Sequence, residues 1–146
     1  MQILGYPVSS ILEEKWIETA GMPSNSDKVF VIETLAERAY IGAIGLHGID
    51  WIIRSAEIGI VIGDKSRWGT GYGTDAMRVI MRLGFDKMNL HRMWLRVFDF
   101  NQRAIVSDEK CGFRRWGVLR DGKFLKGKYH DTIIMGIVED EYRAMV

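Results

Sequence analysis

Residues 56–76 read AEIGIVIGDKSRWGTGYGTDA and join a run of β-branched residues to a loop of alternating glycines. The loop opens a segment with apolar residues at Ala76, Val79, Ile80 and Leu83, which is the spacing of an amphipathic helix. Glycines leave backbone N–H groups uncovered, and the first turn of a helix adds unpaired N–H groups at the positive end of its dipole. This strand–loop–helix unit therefore predicts a cradle for an anion such as a pyrophosphate.

The rest of the chain reads as strands and helices of one domain over residues 1–146. Upstream of the glycine loop, β-forming runs joined by short turns favour an antiparallel meander. The predicted elements are a helix at 9–21, strands at 29–34, 40–49 and 56–62, a helix at 74–88, a strand at 93–98, a helix at 102–110 ending at Gly112, a strand at 113–119, a turn-rich connection at 120–127, a strand at 132–138 and a helical turn at 140–145. This order predicts an α+β fold with a mixed, mostly antiparallel sheet flanked by helices.

The glycines have other interpretations. Gly69, Gly71 and Gly73 also suit a tight connection that binds nothing. A P-loop requires Gly-Lys-Ser/Thr, whereas Thr74 and Asp75 follow the last of these glycines. A Rossmann fingerprint would place glycine at position 74 after the first strand of its domain, whereas a meander precedes this loop. Both of these nucleotide-binding loops are excluded. Separately, the glycines at 42, 45 and 48 are expected to leave one side of their strand without side chains, where a bulky group approaches the backbone.

Composition narrows the class of protein. The formal net charge of +1 gives no basic surplus for binding duplex nucleic acid. The one cysteine, Cys111, cannot form an internal disulfide, which fits a reducing compartment. The first residues do not resemble a signal peptide, and no window approaches the roughly 18 continuous apolar residues of a membrane span. We therefore expect a cytoplasmic protein with no nucleic-acid or membrane partner.

Several short motifs occur in a characteristic order from about residue 40 to the end. They are WGTGYG at 68–73, NLHR at 89–92, NQRAI at 101–105, EKCGF at 109–113 and GKYHD at 127–131. Together they resemble the GNAT superfamily of acetyl-CoA-dependent N-acetyltransferases, whose signature loop is Gln/Arg-x-x-Gly-x-Gly/Ala. Trp68 replaces the first residue of that signature, and Trp-Gly-x-Gly-Tyr resembles the branch of ribosomal-protein-alanine acetyltransferases.

The resemblance implies a site for acetyl-CoA as co-substrate. In this family the strand before the loop splays from its neighbour, and its backbone, here Ile60, Val61 and Ile62, pairs with the pantetheine arm. Asn101 and Arg103 should lie near the cofactor on the following helix. The backbone amides expected to hold the pyrophosphate are those of Arg67, Trp68, Gly69, Thr70, Gly71, Tyr72, Gly73 and Thr74.

Two features depart from the family pattern. Members usually begin with a strand and a helix before the segment that resembles Met1 to Leu12, and these elements are expected to be missing here. Either the true start lies upstream, or the sheet edge is left open or is covered by a second subunit in a homodimer, since an open edge is a liability. Many members also carry tyrosine just before Glu-Lys-x-Gly-Phe, where it protonates the departing thiolate, and this chain has Asp108 there.

The chemistry requires a neutral amine. At pH 7 a lysine-type amine needs roughly 4–5 kcal/mol to lose its proton, against about 1–1.5 kcal/mol for an α-amine. Glu57, at the start of the splayed strand, is the candidate base, and a solvated or paired carboxylate is its alternative interpretation. Asp108 is a candidate for holding water or the substrate amine, because an ordinary aspartate is ionised at pH 7 and is a poor thiolate acid. Tyr72 and Tyr129 are alternative hydroxyl donors.

The remaining polar groups complete this picture. A backbone N–H near Val61 or Ile62 would hold the oxyanion. His47, His91 and His130 lack the paired spacing of a zinc site, so no metal is expected.

Three hypotheses follow for function. The leading one is acetyl transfer to a primary amine, a protein N-terminus or a small molecule, by direct attack in a ternary complex. The alternative within enzymology is a polyamine or antibiotic-type amine acetyltransferase, whose cleft should be strongly acidic. The carboxylates available for such a cleft are Asp50, Glu57, Asp99 and Asp108. The alternative of another class is a non-catalytic coenzyme A sensor, since Asp108 replaces the tyrosine acid.

Overall fold

The computed structural model describes residues 2–3, 26–34, 38–63 and 71–146. The predicted helix at 9–21 lies outside this part of the chain. The strands are β1 (Gln2–Ile3), β2 (Lys28–Glu33), β3 (Tyr40–Asp50), β4 (Ser55–Ile62), β5 (Arg92–Phe98), β6 (Arg114–Leu125) and β7 (Lys128–Val138). The helices are α1 (Tyr72–Arg82), α2 (Gln102–Lys110) and α3 (Glu139–Met145).

The described strands form one sheet in the order β1-β2-β3-β4-β5-β7-β6. Neighbouring strands are antiparallel except β4 and β5, which are parallel. The β2–β3–β4 meander joined by short turns is therefore confirmed, as is the mixed, mostly antiparallel α+β class. A parallel pair needs a crossover between its strands, and the glycine loop and α1 supply it.

The sheet splits between β4 and β5. Their pairing begins at Ser55 opposite Arg92 and ends at Glu57 opposite Trp94. Beyond this point β4 continues to Ile62, paired on its other side with β3 as far as Gly42. Beyond Glu57 the backbone edge of β4 at Ile58 and Ile60 is therefore not paired with β5, which confirms the splay that the family resemblance implied.

Two helices next to this split contact each other. The buried side of α1 presents Ala76, Met77, Ile80 and Met81 to the core. Where the sequence predicted one helix to residue 88, the last turn is π-helical over Leu83–Lys87. The first turn of α1 is joined to α2 by a hydrogen bond between Thr74 Oγ1 and Ser107 Oγ at 2.8 Å.

The β6–β7 hairpin differs from the sequence prediction. Residues 120–125, predicted as part of a turn-rich connection, belong to β6, and the turn is confined to Lys126 and Gly127. Both turn residues have positive φ angles, 52° and 76°, as a two-residue hairpin turn of type I′ requires. Asp121 and Gly122 instead fall where the β6–β7 register shifts, so they mark a bulge.

No helix in the described part of the chain combines the length and apolar character of a membrane span.

Candidate active site

A cavity of about 490 Å³ occupies the split between β4 and β5. Because side chains alternate along a strand, its walls come from both faces of the sheet. On the helix face it is lined by Ile58, Ile60, Leu95, Val97, Ala104 and Asp108. On the opposite face it is lined by Gly45, His47, Glu57, Gly59, Arg96 and Phe98. The cavity is thus lined by side chains from both faces of the sheet.

The unpaired edge of β4 forms one wall. Gly63 N–H donates to Ile41 O at 2.9 Å, so odd-numbered residues of β4 direct their backbone groups toward β3. By the same alternation, the N–H and C=O of Ile60 face the gap. Ile60 and Val61 line the cavity, and Val61 is 67% exposed. The backbone edge at Ile60 therefore faces the cavity, whereas Ile62 does not line it.

The N-terminus of α1 has the open character predicted for an anion cradle. Gly71 precedes the helix with φ of 90° and has no side chain to cap the first turn. A Cβ added at Gly71 or Gly73 would have no heavy atom within 4 Å among the described residues. Thr74 directs its hydroxyl to Ser107, so only its amide is available to a ligand. Residues 67–70, also predicted to bind the pyrophosphate, lie outside the described residues.

The two predicted cofactor residues of α2 differ in position. Asn101 lines the cavity and caps α2, because its Oδ1 accepts from Ala104 N at 3.2 Å. Arg103 is exposed on α2 and does not line the cavity. Tyr72 begins α1 outside the cavity as well. Of these three predicted cofactor residues, only Asn101 lines the cavity.

Asp108 has a setting that the sequence did not predict. It is 7% exposed and lines the cavity, and its carboxyl has no hydrogen-bond or ion-pair partner within the described ranges. Burial raises the pKa of its carboxyl to about 7, because the ionised form loses its hydration. An aspartate in this state holds a proton for part of the time at neutral pH, unlike the ordinary aspartate assumed from the sequence.

Glu57 lines the cavity on the other face and is paired. Arg96 donates to Glu57 Oε2 from Nε at 2.6 Å and to Oε1 from Nη2 at 2.9 Å. Glu57 accordingly raises the pKa of the Arg96 guanidinium. The structure thus brings both catalytic candidates, Glu57 and Asp108, to one cavity, with both oxygens of Glu57 engaged.

His47 was considered from the sequence only as a metal ligand, yet it lies in this cavity. Gly45 and Gly59 face each other in register beside its ring. Gly42 lies on the opposite side of β3 from Gly45, so the prediction that these glycines thin one side is wrong. The sequence signal for the place of His47 is the pair of glycines, Gly45 and Gly59, that face each other beside its ring. Recognising this pair requires the register between β3 and β4. The described residues contain no cluster of three or more metal-ligating side chains.

The sequence of the chain matches a known family over most of its length. A family model described as an acetyltransferase (GNAT) domain matches residues 1–114. The chain belongs to the GNAT acetyltransferase family. It is therefore an N-acetyltransferase that uses acetyl-CoA to acetylate an amine, and the alternative of a non-catalytic sensor is not supported.

Relatives of this GNAT enzyme include two spermidine N(1)-acetyltransferases. The protein from Vibrio cholerae is 31% identical over 93% of this chain and 78% of its own length. That from Escherichia coli K12 is 31% identical over 94% of this chain and 73% of its own length. A putative ribosomal N-acetyltransferase, YdaF of Bacillus subtilis, is 31% identical over 75% of this chain and 60% of its own length. These relatives therefore do not specifically support the ribosomal-protein branch that Trp-Gly-x-Gly-Tyr suggested.

Solved structures confirm the GNAT fold. The spermidine N-acetyltransferase from Vibrio cholerae in complex with CoA and spermine matches with a TM-score of 0.78 at 32% identity. The match covers 90% of this chain and 76% of that one. The spermidine/spermine acetyltransferase SpeG from the same organism gives a TM-score of 0.79 at 31% identity over 92% of this chain and 78% of that one. Coenzyme A as co-substrate agrees with the open edge of β4 and the open glycines of α1.

Proposed function

We propose that this enzyme acetylates a polyamine of the spermidine class. Two relatives that align with more than nine-tenths of the chain carry the name spermidine N(1)-acetyltransferase. The observation in this chain that carries the proposal is the carboxylate of Glu57 in the wall of the cavity. Carboxylates stabilise the ammonium groups of a polycation, and Glu57 lies on the face away from α1 and α2, where an acceptor would enter.

The cofactor site follows the family resemblance. Bound acetyl-CoA supplies a thioester whose carbonyl carbon is open to attack by an amine. We propose that the backbone of Ile60, Val61 and Ile62 binds the pantetheine arm. The proposed pyrophosphate site consists of residues 67–74 and the N-terminus of α1, including Gly71, Tyr72, Gly73 and Thr74, with Asn101 and Arg103 beside it on α2. Backbone amides at a helix N-terminus suit a diphosphate because they point at the ligand and carry positive dipole charge.

Asp108 is proposed to protonate the departing thiolate. It lines the cavity from the helix face, and it has no polar partner within the described ranges that would hold its proton elsewhere. A carboxyl with a pKa of about 7 is well matched to donate a proton near neutral pH. Burial thus gives aspartate a role that family members commonly assign to tyrosine.

Glu57 is proposed to receive the reacting ammonium of the acceptor. Its two oxygens are held by Arg96, and an acceptor ammonium competes with that guanidinium for them. This contact favours the binding of a cation over the removal of a proton, because both oxygens that would accept the proton are engaged.

Thiol release with purified enzyme tests the proposal. Acetyl-CoA is supplied with spermidine, with a monoamine such as butylamine, or with a peptide carrying a free α-amine. We expect spermidine to give the highest kcat/KM, and mass spectrometry to find one added acetyl group on it. The second candidate acceptor, a protein N-terminus, is favoured by the relative named as a putative ribosomal N-acetyltransferase. A peptide that exceeds spermidine at least tenfold in kcat/KM would replace the proposal with that candidate.

A further inference from the structure

The His47 imidazole rests on a bare patch of backbone inside the cavity. Gly45 and Gly59 lie opposite each other in the β3–β4 register, on the same face as His47 and Glu57. A Cβ added at Gly59 would lie 3.0 Å from His47 Nε2, and one added at Gly45 would lie 3.2 Å from it. A side chain at either position would displace the ring, so the two glycines form a seat for it.

Asp27 holds the other side of the ring. His47 Nδ1 lies 3.6 Å from Asp27 Oδ1, and Gly48 N–H donates to that same oxygen at 3.0 Å. A carboxylate beside Nδ1 favours the tautomer with its proton on Nδ1 and the lone pair on Nε2. Nε2 then lies over Gly59 of β4, the residue before the backbone edge proposed to bind the pantetheine arm.

We propose that His47, positioned by Asp27, accepts the proton of the acceptor ammonium at Nε2. The inference rests on the proposed acetyl transfer and assigns a base to it. Glu57, the candidate base from sequence, has both oxygens engaged by Arg96. His47 Nε2 makes no hydrogen bond within the described ranges and lines the same cavity.

The protons balance with His47 and Asp108 acting at opposite faces of the sheet. His47 Nε2 takes one proton from the ammonium, and the nitrogen lone pair then forms the C–N bond as the C–S bond breaks. Asp108 gives its proton to the thiolate sulfur and regains one from the acetylated nitrogen. The proton on His47 passes to solvent, so one proton is released per turnover.

The charged groups around His47 are few. Asp27 approaches from the segment before β2, Glu57 from β4 and Arg96 from β5, and the cavity residue of β2 is the apolar Val29. The half-exposed ring, 42% accessible at its side chain, exchanges protons with solvent. The test therefore measures how the role of His47 changes with pH.

His47→Gln is expected to lower kcat with spermidine about 100-fold or more at pH 7, the usual range for a general base. The deficit should shrink to within about threefold near pH 10, where roughly a third of a lysine-type amine is already neutral without help. Coenzyme A affinity, measured by calorimetry, should stay unchanged. Asp27→Asn should show a smaller loss with the same pH trend, as expected for a positioning residue.

Gly59→Ala is an independent variant that retains the His47 imidazole but is expected to displace it. Among the described residues, the atoms that an added Cβ would crowd there are His47 Nε2 and Cδ2, at 3.0 and 3.1 Å. We expect the same pH-selective loss, with little further loss when His47→Gln is added. Gly117→Ala, on β6 where an added Cβ meets nothing within 4 Å, is the matched control and should behave as wild type.

The outcomes separate the two proposals. Equal loss for His47→Gln at pH 7 and pH 10, or retention of activity within threefold at pH 7, would overturn the assignment of the base. A pH-selective loss in Glu57→Gln and not in His47→Gln would return that role to Glu57. If the wild type releases no thiol with any amine, the proposed function itself fails, and this inference fails with it.

Discussion

Glu57 and Arg96 form a two-pronged ion pair at the point where the sheet divides. Their hydrogen bonds measure 2.6 and 2.9 Å. Glu57 is the last residue of β4 that pairs with β5. The pair neutralises the carboxylate that faces the acceptor side of the cavity. An acceptor ammonium must therefore compete with a guanidinium that the protein itself provides.

Removing this competitor should favour polycations. Exposed ion pairs contribute about 0.2–1 kcal/mol, so Arg96→Gln is expected to lower KM for spermidine by up to about fivefold. Steady-state thiol release against spermidine concentration measures the effect. Arg120→Gln removes the same charge from exposed β6 and serves as control. A KM that rises in Arg96→Gln would mean that the guanidinium orients Glu57 for the substrate and does not compete with it.

The proton of Asp108 should shape the pH profile of the reaction. Because burial holds the pKa of this carboxyl at about 7, kcat/KM should fall on the alkaline side as the acid ionises. Asp108→Asn removes the donor and is expected to lower kcat about 100-fold or more. Asp108→Tyr restores a donor that titrates near pH 10, so it should recover activity and move the alkaline limb upward. A wild-type profile with no alkaline limb between pH 6 and 9 would argue against Asp108 as the acid.

The same carboxyl should make folding stability depend on pH. Its pKa rises from 3.8 in the unfolded chain to about 7 in the folded one, so the folded state keeps a proton that the unfolded state has lost. The stability from this group is full below about pH 4 and is lost as pH rises through about 7, a change of about 4 kcal/mol. Asp108→Asn should abolish this trend and be more stable than wild type at pH 8. Urea unfolding at pH 5 and pH 8 tests it, and parallel pH dependence in the two proteins would contradict it.

Charge at the start of α1 should separate coenzyme A binding from folding. Gly73→Asp places a carboxylate in the first helical turn, where it favours the helix by about 0.3–1 kcal/mol but repels a diphosphate. We expect coenzyme A affinity to fall at least tenfold while Tm stays the same or rises. Gly73→Asn, of similar size and without charge, should bind more tightly than Gly73→Asp. Equal affinities in calorimetry would place the diphosphate away from this turn.

Local patterns predicted most of the fold. The helix at 102–110 was predicted to the residue, and Gly112 after it has φ of 96°, the left-handed conformation expected for a helix end. The hairpin was misplaced because Asp121 and Gly122 have turn-forming side chains but sit in a bulge of β6. Only the pairing with β7 distinguishes a bulge from a turn, and the sequence of β6 alone does not reveal that pairing.

The site was predicted where its chemistry is local and missed where it depends on tertiary contacts. The glycine loop carries its proposed function in consecutive residues, so the sequence alone suggests it, and its pyrophosphate site stays a prediction. Arg96 is 39 positions from Glu57, and their contact follows from the short parallel register. The raised pKa of Asp108 comes from burial, which no neighbour in sequence reports. The seat of His47 required knowing that Gly45 faces Gly59.

Amide hydrogen exchange at Ile60 tests most directly whether the split sheet binds coenzyme A. The alternation along β4 directs this N–H into the gap, where it has no strand to pair with. Saturating coenzyme A is expected to slow its exchange at least tenfold, as for an amide that gains a strand partner, while amides of the β6–β7 hairpin stay unchanged. Unaltered exchange at Ile60 in protein that has demonstrably bound coenzyme A would contradict the account.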